Sequence, residues 1–129
     1  MHPELKAHPE YFKKEIVQLC DNVYQAFGFA ASNVYMIIGE DGIVIIDTTE
    51  TTTAAQNILS EFRKITDLPI KTIILTHSHR DHVSGASVFS ENTSPEILAS
   101  DKSSPVDFGG LEPGIHLHWA MPDGLLSEV

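Results

Sequence analysis

The stretch "IVIIDTTETTTAAQNILSEFRKITDLPIKTIILTHSHRDH", residues 43–82, decides the fold. It opens on "IVIIDTT" (43–49), whose β-branched side chains suit a pleated, half-buried surface and predict a strand. In "TTTAAQNILSEFRKI" (51–65) the apolar residues Ala55, Ile58, Leu59, Phe62 and Ile65 recur at three and four positions. That period lines one side of a helix, and a threonine at 51 to 53 can cap its start. Leu68-Pro69 stops the helix, because proline cannot supply the next backbone N–H. "IKTIILT" (70–76) is then nearly continuous aliphatic, as expected of a central strand buried on both faces. Strand, helix and buried strand in this order predict an α/β fold with a mixed sheet and helices on one face.

Reading toward the N-terminus, "NVYMIIG" (33–39) precedes Glu40-Asp41-Gly42. Asp-Gly is a hairpin signal because glycine accepts the positive φ of a tight turn, so this segment pairs antiparallel with the strand from Ile43. "EIVQLC" (15–20) and "VYQAFGF" (23–29), broken by Asp21 and Asn22, read as two more strands, with Tyr11, Phe12, Phe27 and Phe29 as core candidates. Toward the C-terminus, "SGASVF" reads as a short helix and "EILAS" (96–100) as a short strand. "DKSSPVDFGGLEPG" is rich in turn formers, and "IHLHWAM" (115–121) reads as a last strand with no signal for its neighbour. No repeat or linker divides residues 1–129, so one domain is expected.

With 18 acidic against 8 basic residues the formal net charge is −10, which makes the phosphate term repulsive and argues against nucleic acid or an anionic membrane as partner. No window approaches the apolar length of a membrane span. The start, "MHPELKAHPEYFKKE", carries no apolar leader, so the cytoplasm is the expected location. Cys20 is the only cysteine, which rules out an intramolecular disulfide and reads as a small core residue rather than a nucleophile.

Residues 77–82, "HSHRDH", place three imidazoles and a carboxylate directly after the central strand, where nothing hydrophobic is gained. In extended backbone His77 and His79 point to the same side and can converge on one ion at about 2.0–2.1 Å. Asp81 and His82, after the chain turns, can serve a second ion. This nitrogen and oxygen set suits zinc, and iron and manganese also accept it. With 7 histidines among 129 residues, the pattern HxHxDH arises by chance on the order of once per thousand shuffled chains. Neutral ligation also explains why the loop tolerates crowded imidazoles, which repel one another once protonated. Gly85 lets the backbone approach closely just beyond the loop. A serine-nucleophile reading of Ser78 or Ser84 lacks the surrounding Gly-x-Ser-x-Gly elbow.

"THSHRDHVSGA" resembles the HxHxDH signature of the metallo-β-lactamase superfamily. "HPELKAHPEYF", "DNVYQAFGFAASNVYMIIGEDGIVIIDTTET" and "EFRKITDLPIKTIILTHSHRDHVSGASVF" resemble the N-terminal part of the alkyl sulfatases, the dodecyl sulfate hydrolases within it. The likeness spans residues 2 to 90. It implies the N-terminal half of an αββα sandwich and a site with two zinc ions, His77 and His79 on one, Asp81 and His82 on the other. Asp81 would also position the metal-bound water. Asp47 matches the family's strand-end aspartate, which steadies the metal loop by hydrogen bonding; on its own residues it reads equally as a turn former. The implied reaction is metal-assisted hydrolysis of an alkyl sulfate such as dodecyl sulfate, with a homodimer as the implied assembly.

The family completes its site with acidic ligands and a further histidine supplied later, so the resemblance implies a truncated domain here. Four donors over two ions leave two each, fewer than the three protein ligands of a typical catalytic zinc. His116 and His118 repeat the HxH spacing, and Glu91, Glu96, Asp101, Asp107 and Glu112 lie in the tail, none in a matching context. The pair reads as ordinary strand histidines, His2 and His8 as structural or solvated, and Trp119 and Met121 as packing. A non-catalytic metal-binding fragment and a thioester or lactone hydrolase of the same superfamily are the alternatives.

Overall fold

The computed structural model describes residues 13–100, together with the backbone of 118–120 and 126–128. Tyr11, Phe12, His2, His8, Asp101, Asp107, Glu112, His116 and Met121 lie outside the described residues, and the side chains of His118 and Trp119 are likewise not described.

Among the described residues eight strands form one sheet in chain order: β1 (Glu15–Cys20), β2 (Val23–Phe27), β3 (Val34–Ile38), β4 (Ile43–Ile46), β5 (Ile70–Ile74), β6 (Glu96–Ala99), β7 (His118–Ala120) and β8 (Leu126–Glu128). β1 to β4 are joined antiparallel, β4 to β7 parallel, and β7 to β8 antiparallel. The sheet is therefore mixed, as expected. Among the described residues three helices intervene: α1 (Thr52–Arg63), the single turn α2 (Arg80–Val83) and α3 (Ala86–Ser90). α1 makes the crossover that parallel β4 and β5 require. Among the described residues no helix is long and apolar enough to cross a membrane.

α1 begins where Thr51 turns its hydroxyl onto Ala54 N at 3.1 Å, satisfying one of the free N–H groups of the first turn. Ala55, Ile58 and Phe62 are fully buried and share one cluster with Val34, Met36, Ile45, Ile73 and Phe89. Sheet and helices thus close on a single apolar core. Ile65 departs from expectation: the helix ends at Arg63, whose guanidinium donates to the Leu68 carbonyl, and Ile65 lies beyond the turn, exposed. Leu68-Pro69 does not itself end the helix.

Other expectations also change. Gly42 has no positive φ; its need is space, because a Cβ would overlap the Lys71 side chain and sit 3.1 Å from the Pro69 carbonyl oxygen. β5 is central, yet only Ile70 and Ile73 in it, and Leu75 just past its end, are fully buried, while Thr72 and Ile74 are half-buried and Lys71 exposed. Cys20, expected inside, is exposed at the end of β1, where the pairing with β2 slips. Phe29 packs half-buried against the core.

β4 stops at Ile46, three residues short of the expected end, because Asp47 and Thr49 take φ of 60° and 63°. Aspartate tolerates this left-handed region through its short polar side chain; for β-branched threonine it is a strained conformation. Asp47, Thr48 and Thr49 are nevertheless all buried. The backbone thus leaves the sheet sharply between the parallel strands β4 and β5, at their C-terminal ends, which is where open α/β sheets place their ligands.

Candidate metal centre

The histidine segment starts from β5. Past Ile74, Leu75 N still donates to the Leu98 carbonyl at 2.9 Å, after which residues 76–79 leave the sheet and α2 turns the chain. His79 occupies the position before α2 with extended backbone, and Asp81 falls in the first turn, where the free N–H groups favour an acid. This turn brings His82 back over the strand ends.

Asp47 organises the result. Its Oδ1 accepts from Thr76 N at 2.8 Å, its Oδ2 accepts from Thr76 Oγ1 at 2.8 Å, and Oδ2 lies 2.7 Å from His82 Nδ1. With 5% of its surface exposed, the carboxylate is buried and fully engaged, as a buried charge must be. Thr48 adds a second hold on the same residue: its N donates to the His82 carbonyl at 2.7 Å and its Oγ1 at 3.0 Å. Ser32, buried in the β2–β3 connection, hydrogen-bonds the Asp81 carbonyl. Gly85 lies against this loop, where a Cβ would overlap the Thr48 carbonyl oxygen and come within 2.7 Å of Ala55 Cβ. The expected close approach is therefore present.

The imidazoles gather over this frame. The ring centroids of His77 and His82 are 3.9 Å apart, and those of His77 and His79 are 4.7 Å apart with the planes at 70°. Thr76 Oγ1 sits 2.9 Å from His77 Nδ1. His82 Nε2 faces Asp81 Oδ2 at 3.4 Å. Two donors held by one tetrahedral zinc at about 2.0–2.1 Å stand roughly 3.3–3.4 Å apart. His82 and Asp81 thus have the separation of two ligands on one ion, and two facing lone pairs are an arrangement that a cation satisfies. In chemistry and spacing these residues fit a metal ion as a partial ligand set. Among the described residues no group of three or more His, Cys, Asp or Glu side chains is arranged to hold an ion. Glu91 and Glu96 are exposed, and neither belongs to such a group.

Three contributors escaped the sequence reading: Thr76, Thr48 and Ser32. Thr76 and Thr48 act across 29 and 34 residues of chain, a separation that no local pattern reports. The one available signal was composition: hydroxyl residues flanking Asp47 and His77 at the ends of two aliphatic runs.

The sequence profile of the metallo-beta-lactamase superfamily matches residues 27–118, most of the chain, and the chain belongs to that superfamily. Within it the chain is similar to a linear primary-alkylsulfatase of Pseudomonas sp. (strain ATCC 19151), 46% identical over 54 residues, covering 42% of this chain and 10% of the relative. An alkyl/aryl-sulfatase of Saccharomyces cerevisiae is 42% identical over 71 residues, covering 54% of this chain and 11% of that protein. The matched segment thus spans about a tenth of either relative's length. Among solved structures, the stereoselective inverting sec-alkylsulfatase of Pseudomonas sp. superposes with a TM-score of 0.61 at 25% identity, over 69% of this chain and 15% of that one. A subclass B3 metallo-beta-lactamase of Bradyrhizobium japonicum gives 0.63 at 26% identity, over 78% and 38%. The fold is therefore the N-terminal part of the metallo-β-lactamase fold.

Proposed function

We propose that this chain is a zinc-dependent hydrolase of the alkylsulfatase type, acting on linear primary alkyl sulfates such as dodecyl sulfate. The observation that carries the reading is the 3.4 Å separation of His82 Nε2 and Asp81 Oδ2, with the His77 ring against that of His82 and the His79 ring edge-on to His77, at the ends of β4 and β5. His77 and His79 would hold one ion, Asp81 and His82 the other. Divalent ions held there would supply Lewis acidity toward an anionic sulfate head and toward water.

The chain's own residues supply the frame for that chemistry. Asp47 orients His82 through Nδ1, so that Nε2 is the atom left to ligate. Thr48 and Ser32 fix the backbone of α2 on either side of the Asp81–His82 pair, holding the carboxylate toward the imidazole. A carboxylate so placed would also orient the attacking water. The nitrogen-rich donor set supports zinc, and the relative that is 46% identical supports a linear primary substrate. We further place the protein in the cytoplasm and expect it to pair with a second copy, which light scattering of the purified chain would decide.

The test is release of sulfate from dodecyl sulfate by the purified chain, with and without chelator, alongside its metal content. Chelator-sensitive release with two ions per chain is the expected result; no release in the presence of zinc overturns the enzymatic reading for this chain. The fact that the described residues assemble fewer than three ligands favours a second reading, a metal-binding segment that needs further residues to turn over. One loosely held ion without release would be its signature.

A further inference from the structure

The Thr76 hydroxyl stands between the buried Asp47 carboxylate and the His77 ring, 2.8 Å from Oδ2, 3.0 Å from Oδ1 and 2.9 Å from Nδ1. It carries one proton, and that proton can go to only one side. An ionised carboxylate is an acceptor only, so a hydroxyl lying against both of its oxygens must donate to it. The hydroxyl oxygen is then left as an acceptor toward His77, which requires the hydrogen of a neutral His77 ring to be on Nδ1. At the other end of the same carboxylate, Oδ2 lies 2.7 Å from His82 Nδ1 and requires a hydrogen there as well.

We propose that Thr76 is a positioning residue that relays Asp47 to His77, so that one carboxylate sets the tautomer of two imidazoles, His82 directly and His77 through the threonine hydroxyl. Both rings then present Nε2 as a bare lone pair, the form that a metal ion requires. The relay has a favourable anchor. Thr76 N also donates to Asp47 Oδ1 at 2.8 Å, so backbone and side chain of one residue grip one carboxylate and the hydroxyl has little freedom to turn away. His77 itself is exposed, so water competes for Nδ1 from outside, and the relay is what biases the ring against the Nε2–H form that a free histidine side chain favours. The purpose assigned to this bias rests on the metal reading above; the bias itself is a property of the metal-free chain.

The test is therefore made on the metal-free full chain. Two-bond proton–nitrogen correlation spectra of the chain labelled with ¹⁵N-histidine, in mildly alkaline solution where an unperturbed imidazole is neutral, report which ring nitrogen carries hydrogen. The expected result is Nδ1–H on both His77 and His82. Thr76→Val should move His77 toward Nε2–H and leave His82 unchanged, and Thr76→Ser, which keeps the hydroxyl, should restore the native pattern. Asp47→Asn should disturb both rings. Nε2–H on His77 in the unaltered chain, or a folded Thr76→Val chain whose His77 is unchanged, overturns the relay. Should Thr76→Val fail to fold, the pattern in the unaltered chain and in Thr76→Ser still decides. These outcomes are independent of sulfate release, so failure of the relay and failure of the sulfatase reading are separable.

Discussion

Asp47 Oδ2 and His82 Nδ1 lie 2.7 Å apart although 35 residues separate them in the chain, and this pair ties the end of β4 to the segment following β5. Its carboxylate is buried and the ring about four-fifths so, with 6% and 22% of the side-chain surface exposed. Replacing Asp47 by alanine leaves His82 Nδ1 and the Thr76 N–H without their acceptor. The expected result is a loss of about 1–3 kcal/mol of stability and zinc binding weakened about 10–100-fold. Denaturant unfolding and calorimetric titration with zinc measure the two effects; unchanged zinc affinity in the folded variant would show that the pair does not prepare His82 as a ligand.

Gly85 gives a prediction about shape rather than charge. It immediately precedes α3, and an added methyl group would overlap the backbone carbonyl of Thr48, an atom held in place because the N–H of the same residue is bonded to His82. Neither side can yield cheaply. Gly85→Ala should cost about 1–3 kcal/mol by overpacking, seen as a lower denaturant midpoint. Because relief requires the 47–49 loop to move away from α2, the His82–Asp47 contact should loosen as well. A variant as stable as the parent would mean that the two segments are free to separate.

How far the sequence carried depended on whether a residue's partner was near in the chain. The Thr51 cap and the buried positions of α1 are set within one turn or by one period, and both were legible. Asp-Gly marked the β3–β4 hairpin, although the glycine is needed for space against Pro69 and Lys71 and not for a positive φ. α2 and β8, four and three residues long, are too short for any period to register. The early end of β4 was hidden because "IVIIDTT" keeps its strand-like composition through Thr49, while Asp47 and Thr48 are bonded to Thr76 and His82, 29 to 35 residues further along the chain. At the site, the ligand-type residues were legible because they cluster in six positions; Thr76, Thr48 and Ser32 were not, because their hydrogen bonds exist only once distant strands have paired.

Phe62 and Ile65 both belong to the apolar stripe expected of α1, and the structure separates them. Phe62 is fully buried within the core, and Ile65, past the end of the helix, is 38% exposed. Phe62→Ala should therefore cost about 3–5 kcal/mol, a large fraction of a small domain's stability. Ile65→Ala should stay within about 0.5–1 kcal/mol. Thermal unfolding of the two variants side by side checks this, and similar losses for both would place Ile65 inside.

His77 and His79 are exposed and contribute no side chain to the apolar core, so a purely structural account assigns them little. The double replacement His77→Ala/His79→Ala should then leave the metal-free chain within about 0.5 kcal/mol of the parent, as for most surface positions. Zinc changes the comparison. A ligand that binds only the folded state stabilises it by about 2.7 kcal/mol at a hundred times its dissociation constant, so the parent chain should gain several degrees of melting temperature when zinc is added, and the double variant much less. The contrast between the two conditions is what makes the experiment decisive: destabilisation without metal would point to a packing role, whereas loss of the zinc-induced gain alone assigns these side chains to the ion. An equal zinc-induced gain in parent and variant would remove His77 and His79 from the ligand set and leave Asp81 and His82 to account for any uptake.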